Sequence, residues 1–196
     1  MSNILLDYGT AYGQTARITQ RIAVLLTDAG HTVTVQRGDL LPPGLSLGEY
    51  DAFVVAASVL FGRHQRYIRS FVRTHVTRLN AAPSAFLSVC GAAAGATPEG
   101  AGRGQAYVDK FLRETGWLPW ATRSFAGALP YTRYGPFVRW IMKTISRRTG
   151  RPTDPSRDYD FTDWEAVEGF GRQLADILTA PGPASKTGAT GAAGPA

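Results

Sequence analysis

The sequence predicts an α/β fold: an open, five-stranded parallel sheet with helices on both faces. Three observations predict it. Short apolar runs alternate with amphipathic stretches along the chain. The runs Ala52 to Ala57 and Ser84 to Cys90 lack a polar face, as in strands covered on both sides. Successive parallel strands need helical crossovers, and stretches of the right length and period lie between the runs. With 196 residues there is room for one ordinary domain, and the 44% hydrophobic content is that of a packed core rather than a disordered chain.

Asn3 to Tyr8 is the first strand, ending at Gly9, and Thr15 to Ala29 places Ile18, Ile22, Leu25 and Leu26 on one helical face. Gly30 then closes that helix. His31 to Gln36 alternates, which predicts a strand with one wetter face at a sheet edge. Leu41 to Gly48, with Pro42 and Pro43, is loop, and Ala52 to Ala57 is a central strand. Gln65 to Asn80 predicts one helix, with Ile68, Phe71, Val72, Val76 and Leu79 along a stripe. Ser84 to Cys90 is the fourth strand, and Gly91 to Gly104 is too poor in core residues to predict an element. Tyr107, Val108, Phe111 and Leu112 mark the next helix, and Ala121 to Ala126 the fifth strand. Pro136 to Arg148 is a basic amphipathic helix, and Thr162 to Leu178 a last helix opened by the capping box Thr162-x-x-Glu165. Residues 180–196 are almost all Pro, Gly, Ala, Ser and Thr, which predicts a disordered tail behind a domain spanning 1–179.

The single cysteine, Cys90, excludes an intrachain disulfide framework and a Cys-rich zinc site, and agrees with a reducing compartment. No basic leader precedes a long apolar run, and no window reaches the roughly 18 apolar residues of a membrane span. The expectation is a cytoplasmic protein. The basicity is local. Between Thr115 and Thr153 there is no Asp or Glu, while Arg123, Arg133, Arg139, Lys143, Arg147, Arg148 and Arg151 carry more positive charge than the whole net charge of +6. Such a patch implies an anionic partner: phosphate, carboxylate or an acidic membrane surface.

Ligands of such sheets bind beyond the carboxyl ends of the strands. Gly9-Thr10-Ala11-Tyr12-Gly13-Gln14-Thr15 joins the first strand to the first helix, with glycines for close approach, hydroxyls at Thr10 and Thr15, and the free amides of a helix start. It reads either as a phosphate cradle or as a ligand-free βα turn. It is not a P-loop, since the glycines are one residue too close and Gln14 stands where lysine would be, and it is not G-x-G-x-x-G. Without a basic residue in the loop, a phosphate would be held by hydroxyls and amides alone.

These residues resemble the first loop of flavodoxins, which wraps the FMN phosphate. The resemblance continues in Ala57-Ser58-Val59-Leu60-Phe61-Gly62-Arg63-His64 and in Ser88-Val89-Cys90-Gly91. From Met1 to about Leu178 the chain is similar to one branch, the menaquinone-dependent protoporphyrinogen IX dehydrogenases. That similarity is carried by Tyr12-Gly13-Gln14-Thr15, Thr77-Arg78-Leu79-Asn80, Pro83-Ser84-Ala85-Phe86, Ala126-Gly127-Ala128-Leu129, and Thr162-Asp163-Trp164-Glu165. The resemblance implies the strand order 2-1-3-4-5. It also implies an FMN phosphate on Thr10, Ala11, Tyr12, Gly13, Gln14 and Thr15, and a flavin ring between Ser58, Val59, Leu60, Phe61 and Gly62 on one side and Ser88, Val89, Cys90, Gly91 and Ala92 on the other. It implies protoporphyrinogen IX as substrate and menaquinone or another quinone as acceptor. Here Gly9 replaces a usual hydroxyl and Tyr12 a small acidic residue, and Gly91 to Gly104 is richer in Gly and Ala than the family's loop.

The basic segment, residues 127–160, has two readings. On a helical wheel Phe137, Trp140, Ile141 and Ile145 lie roughly opposite Arg139, Lys143 and Arg147, which suits either an anionic membrane surface or a helix packed on the sheet with its basic face in water. Tyr131, Arg133 and Tyr134 are candidates for a porphyrinogen's apolar ring and propionates, Arg133 being otherwise a solvated arginine. No nucleic-acid module is recognisable. His64 is either a proton carrier or an inert helix-start histidine. The expected enzyme acts at the inner membrane face with the flavin carrying the chemistry. The alternatives are a quinone reductase with another donor and a non-catalytic flavodoxin-type shuttle.

Overall fold

A computed structural model describes residues 1–91, 98–148 and 150–178. The predicted tail and Ala92 lie outside the described residues. The sheet holds β1 (Asn3–Gly9), β2 (Thr32–Arg37), β3 (Ala52–Leu60), β5 (Ser84–Cys90) and β6 (Ala121–Ala126) in the order β2-β1-β3-β5-β6, all parallel. The short β4 (Arg63–His64) folds back antiparallel on the end of β3. This is the predicted sheet and order. Every residue of β5 is buried, whereas β2 is half-exposed at the edge.

Alternation along the strands divides the core. Ile4, Leu6, Val54 and Leu87 face α1 (Gln14–Asp28) and α6 (Trp164–Ile177), packing with Ile18, Ile22, Val167 and Leu174. Leu5, Phe53, Val55 and Phe86 face the other way, onto α2 (Arg66–Thr74), α3 (Val76–Asn80) and α4 (Pro98–Thr115), with Ile68, Leu79, Phe111 and Trp117. Each fully buried Leu, Ile, Val or Phe contributes about 1.5–3 kcal/mol, so the sheet fixes the carboxyl ends of β1, β3 and β5 firmly.

Four sequence expectations are corrected. The helix expected over Gln65 to Asn80 is two, because His75 leaves helical geometry at ψ 14° and its ring packs on Phe71. The span expected to hold no element up to Gly104 is helical from Pro98, a residue that suits a first helical turn. The cap of α6 is Asp163, whose carboxylate accepts from the Ala166 N–H at 2.9 Å, and not Thr162. The Thr162 hydroxyl is committed elsewhere, donating to the Ala126 carbonyl and accepting from Gln14.

The fourth correction concerns the basic segment. It begins with β7 (Ala128–Leu129), runs through α5 (Pro136–Arg148), and returns by β8 (Tyr159–Asp160), which pairs antiparallel with β7. Leu129, Tyr131 and Tyr134 form a small core of its own with Val138, Met142, Tyr159 and Tyr12. Arg139 points into the protein, its guanidinium donating to the Tyr131 and Tyr134 carbonyls at 3.2 and 3.0 Å. Phe137 and Trp140 are instead 71% and 67% exposed, beside exposed Arg147 and Arg148. The outer face of α5 is thus apolar and basic together. Helical periodicity groups residues into faces without saying which face turns inward.

Candidate functional site

The loop after β1 starts at a crowded point. A Cβ on Gly9 would lie 2.6 Å from Ile68 Cγ1, so no hydroxyl-bearing residue fits there without displacement. Gly13 has φ 94°, the left-handed conformation that turns the chain into α1. The Thr10 hydroxyl accepts from the Gly13 N–H at 2.9 Å, and the Ser58 hydroxyl accepts from the Ala11 N–H at 3.2 Å. Ser58 also accepts from the Gln65 amide, tying this loop to the end of β3.

The start of α1 carries no side-chain cap and no acid in its first turn. Thr15, fully buried, lines the cavity above this turn, and its Oγ1 has no hydrogen-bond partner. A buried hydroxyl costs free energy unless bonded, so the 15-residue helix start and Thr15 together fit an anion such as the FMN phosphate.

That cavity, of about 250 Å³, lies beyond the carboxyl ends of β1, β3, β5 and β6. It gathers Thr10, Ala11, Tyr12, Gln14 and Thr15 with Ser58 to Gly62 and with Val89, Cys90 and Gly91, as the sequence led one to expect. Gly13 and Ser88 are not in its wall. Gly13 shapes the loop, and the Ser88 hydroxyl bonds to His64 Nε2 at 3.0 Å. Phe61 stands at the hairpin tip between β3 and β4 with φ 49° and is 59% exposed at the cavity rim.

His64 belongs to that hairpin as the last residue of β4, its ring edge-on to Phe86 and Phe111 at 5.4 and 5.0 Å. Burial lowers its pKa from 6.5 to about 4, with Glu114 opposing and Arg69 and Lys110 adding to the effect. At neutral pH it is an uncharged anchor between hairpin and β5. Its proton-carrying reading has no support in this geometry.

The aromatic and basic candidates separate. Tyr131 is fully buried; its hydroxyl donates to the Pro152 carbonyl at 3.0 Å and hydrogen-bonds with the Ser146 hydroxyl at 2.8 Å. It ties the segment together and is not part of the cavity wall. Arg133 lies against the loop after β1, Nη1 donating to the Tyr12 carbonyl at 2.9 Å. Tyr134 lines the cavity and meets the Tyr12 ring edge-on at 4.8 Å. Gln14 reaches Asp160 and Thr162, and Arg17 pairs with Asp160 at 3.0 Å, so the segment clasps the loop from two sides.

Sequence reasoning missed Arg103 and Tyr107 on α4, Gly127 to Pro130, Met142 and Ile145 on α5, and Arg151. Arg103 and Tyr107 are four apart and share a helical face, a signal hidden by leaving Gly91 to Gly104 without an element. Arg151 was visible only as one charge of the basic patch, with nothing to single it out as a cavity residue. Its place depends on the turn closing α5, where its N–H donates to the Ser146 carbonyl at 2.8 Å. Among the described residues no helix is long and apolar enough to cross a membrane.

Comparison with known proteins agrees with the geometry. A flavodoxin domain model matches residues 5–156. A protoporphyrinogen IX dehydrogenase (quinone) of Escherichia coli K12 is 33% identical over 177 residues, covering 90% of this chain and 97% of that protein. One of Leishmania major is 33% identical over 186 residues, covering 93% and 78%. Among solved structures, oxidised flavodoxin 1 of Bacillus cereus superposes with TM-score 0.55 at 15% identity, over 91% of this chain and all of the other. An archaeal flavodoxin superposes with TM-score 0.52 at 14% identity, over 91% and 99%. With a glycine-turned loop at the start of α1 beneath an apolar cavity and relatives over nearly its whole length, the chain belongs to the flavodoxin family, in the group of sequences related to the protoporphyrinogen IX dehydrogenases.

Proposed function

We propose that this protein is an FMN-dependent dehydrogenase that oxidises protoporphyrinogen IX and passes the electrons to a membrane quinone. The observation that carries the reading is the 33% identity to proteins of that name over 90% of the chain, in a molecule whose cavity joins an anion cradle to an apolar chamber. Bound FMN supplies the two-electron redox chemistry. The chain's residues hold and enclose it. Thr15 Oγ1 and the α1 amides take the phosphate, and Arg133 and Tyr134 brace the loop around it through Tyr12. The hairpin Ser58 to Gly62 and the turn Val89 to Gly91 flank the ring site. No side chain need act as an acid or base, and His64 is neutral in place.

The outer face of α5 brings the protein to the quinone. Exposed Phe137 and Trp140 enter the interfacial layer while Arg147 and Arg148 meet anionic headgroups, attaching the protein peripherally to the cytoplasmic face. The test is an anaerobic assay of FMN-loaded protein with protoporphyrinogen IX and a menaquinone analogue. Porphyrin fluorescence that appears only when quinone is present is the expected result. Flavin reduction by another donor without porphyrin formation would replace the reading with a quinone reductase or an electron shuttle.

A further inference from the structure

Asp7 is a buried acid outside the cavity wall. It shares with Leu5 the face of β1 that packs towards α2, is fully buried, and neither of its carboxyl oxygens has a hydrogen-bond partner. A Cβ on Gly38 would lie 2.9 Å from Oδ1, so the glycine after β2 makes room for the carboxyl. Ile68 of α2 reaches both that point and Gly9, meeting their Cβ positions at 2.5 and 2.6 Å. The acid therefore lies beneath the start of the loop after β1, two strand residues or about 7 Å from Gly9. Tyr67 of α2 interacts with both: burial raises its pKa, Asp39 and Asp7 add to the rise, and the Thr10 backbone and Arg37 oppose it. Among the described residues, the other charged or titratable neighbours on this side are Arg37 and Asp39, which pair with each other at 2.8 Å, and Arg66 and His75 in the open groove that Gly38 borders. The strands on either side, β2 and β3, place Gln36 and Val55 opposite Asp7. Burial, opposed by the Tyr8 backbone and aided by Asp39, raises the Asp7 pKa to about 7.

We propose that Asp7 is a proton-operated control on the loop after β1: protonated, it lets the loop hold a phosphate, and ionised, it sets a negative charge beneath the loop that weakens the hold. The inference rests on the reading above that the FMN phosphate sits at Thr15 and the start of α1. Like charges at this range repel, and a buried one is screened by salt far less than an exposed one. A phosphate that disfavours the Asp7 carboxylate is, by linkage, bound with uptake of a proton from solvent onto that carboxylate. FMN affinity then falls as pH rises through the Asp7 titration. Riboflavin, which lacks the phosphate, carries no such dependence.

The experiment measures the affinity of wild type and Asp7→Asn for FMN and for riboflavin, by flavin fluorescence titration between about pH 5.5 and about pH 8.5. The second ionisation of the phosphate, at about pH 6, is common to both proteins and cancels in their ratio. The ratio of FMN dissociation constants, wild type over variant, is expected to grow about fivefold or more across that range. The riboflavin ratio is expected to stay flat, and riboflavin binding shows that the variant is folded. Titration calorimetry of wild type at about pH 8, in two buffers of different ionisation enthalpy, needs no variant and is expected to show proton uptake with FMN and none with riboflavin. An FMN ratio that is constant with pH, or FMN binding without proton uptake, overturns the proposal and leaves the phosphate site standing. Wild type that binds riboflavin as tightly as FMN overturns the phosphate site and the proposal with it. Wild type that binds neither flavin removes the functional reading as well.

Discussion

Asp7 and His64 set opposite pH dependences on stability, and replacing either should expose the other. Asp7 lies on β1 two residues before Gly9, fully buried, with neither carboxylate oxygen hydrogen-bonded. Burial raises its pKa from 3.8 to about 7, with the Tyr8 backbone opposing and Asp39 adding to the rise. A carboxyl raised in the fold contributes stability that is complete below about pH 4 and lost as pH climbs through about 7. The loss is about 1.4 kcal/mol per pH unit. His64 is the reverse: its folded pKa of about 4 lies below the ordinary 6.5, so its contribution is present above 6.5 and lost as pH falls towards 4.

Between pH 4.5 and 6.5 the two slopes nearly cancel. Asp7→Asn should therefore gain about 3 kcal/mol relative to wild type as pH rises across that window, and His64→Asn should lose a similar amount. The amide at position 7 shifts the whole curve by a constant, so the slope and not the height carries the result. Urea denaturation at five pH values on each variant measures it. An Asp7→Asn profile parallel to wild type would show that the carboxyl is already ionised in the fold and refute the reasoning.

Thr15→Val should weaken FMN binding about tenfold and leave riboflavin binding unchanged, since only the phosphate uses the hydroxyl. Without flavin the same variant should be as stable as wild type or more so, because the orphan buried oxygen is gone; flavin titration and thermal melting read the two effects. Gly9→Ser adds a hydroxyl at the start of the loop, yet its Cβ meets Ile68 at 2.6 Å. It should cost about 1–3 kcal/mol in urea unfolding and bring no gain in FMN affinity. Arg147→Gln and Arg148→Gln should each weaken binding to vesicles containing anionic lipid about fivefold, and Trp140→Ser should weaken it even at high salt; sedimentation with vesicles that is unchanged by all three removes the lipid role from α5.

The strand order was implied by the resemblance to flavodoxins, and the sequence by itself determined the strands and the three loops at the sheet's carboxyl edge. Those features are written locally: Ala52 to Ala57 is apolar without interruption because both its faces are covered, and the Gly13 turn and the hydroxyls beside it are neighbours along the chain. It also marked the segment after the fifth strand as basic. Only the tertiary structure decided what each charge in that segment does. Arg139 turns inward to carbonyls, Arg133 latches the loop after β1 and Arg151 lines the cavity, although all three lie within 19 residues of one another. Tyr131, one candidate for substrate contact, is consumed by Ser146 and Pro152. The reason is that periodicity states which residues share a face. Which face is buried depends on partners far away in the chain, here Tyr12 packing against Tyr134 and Gln14 bonding to Asp160.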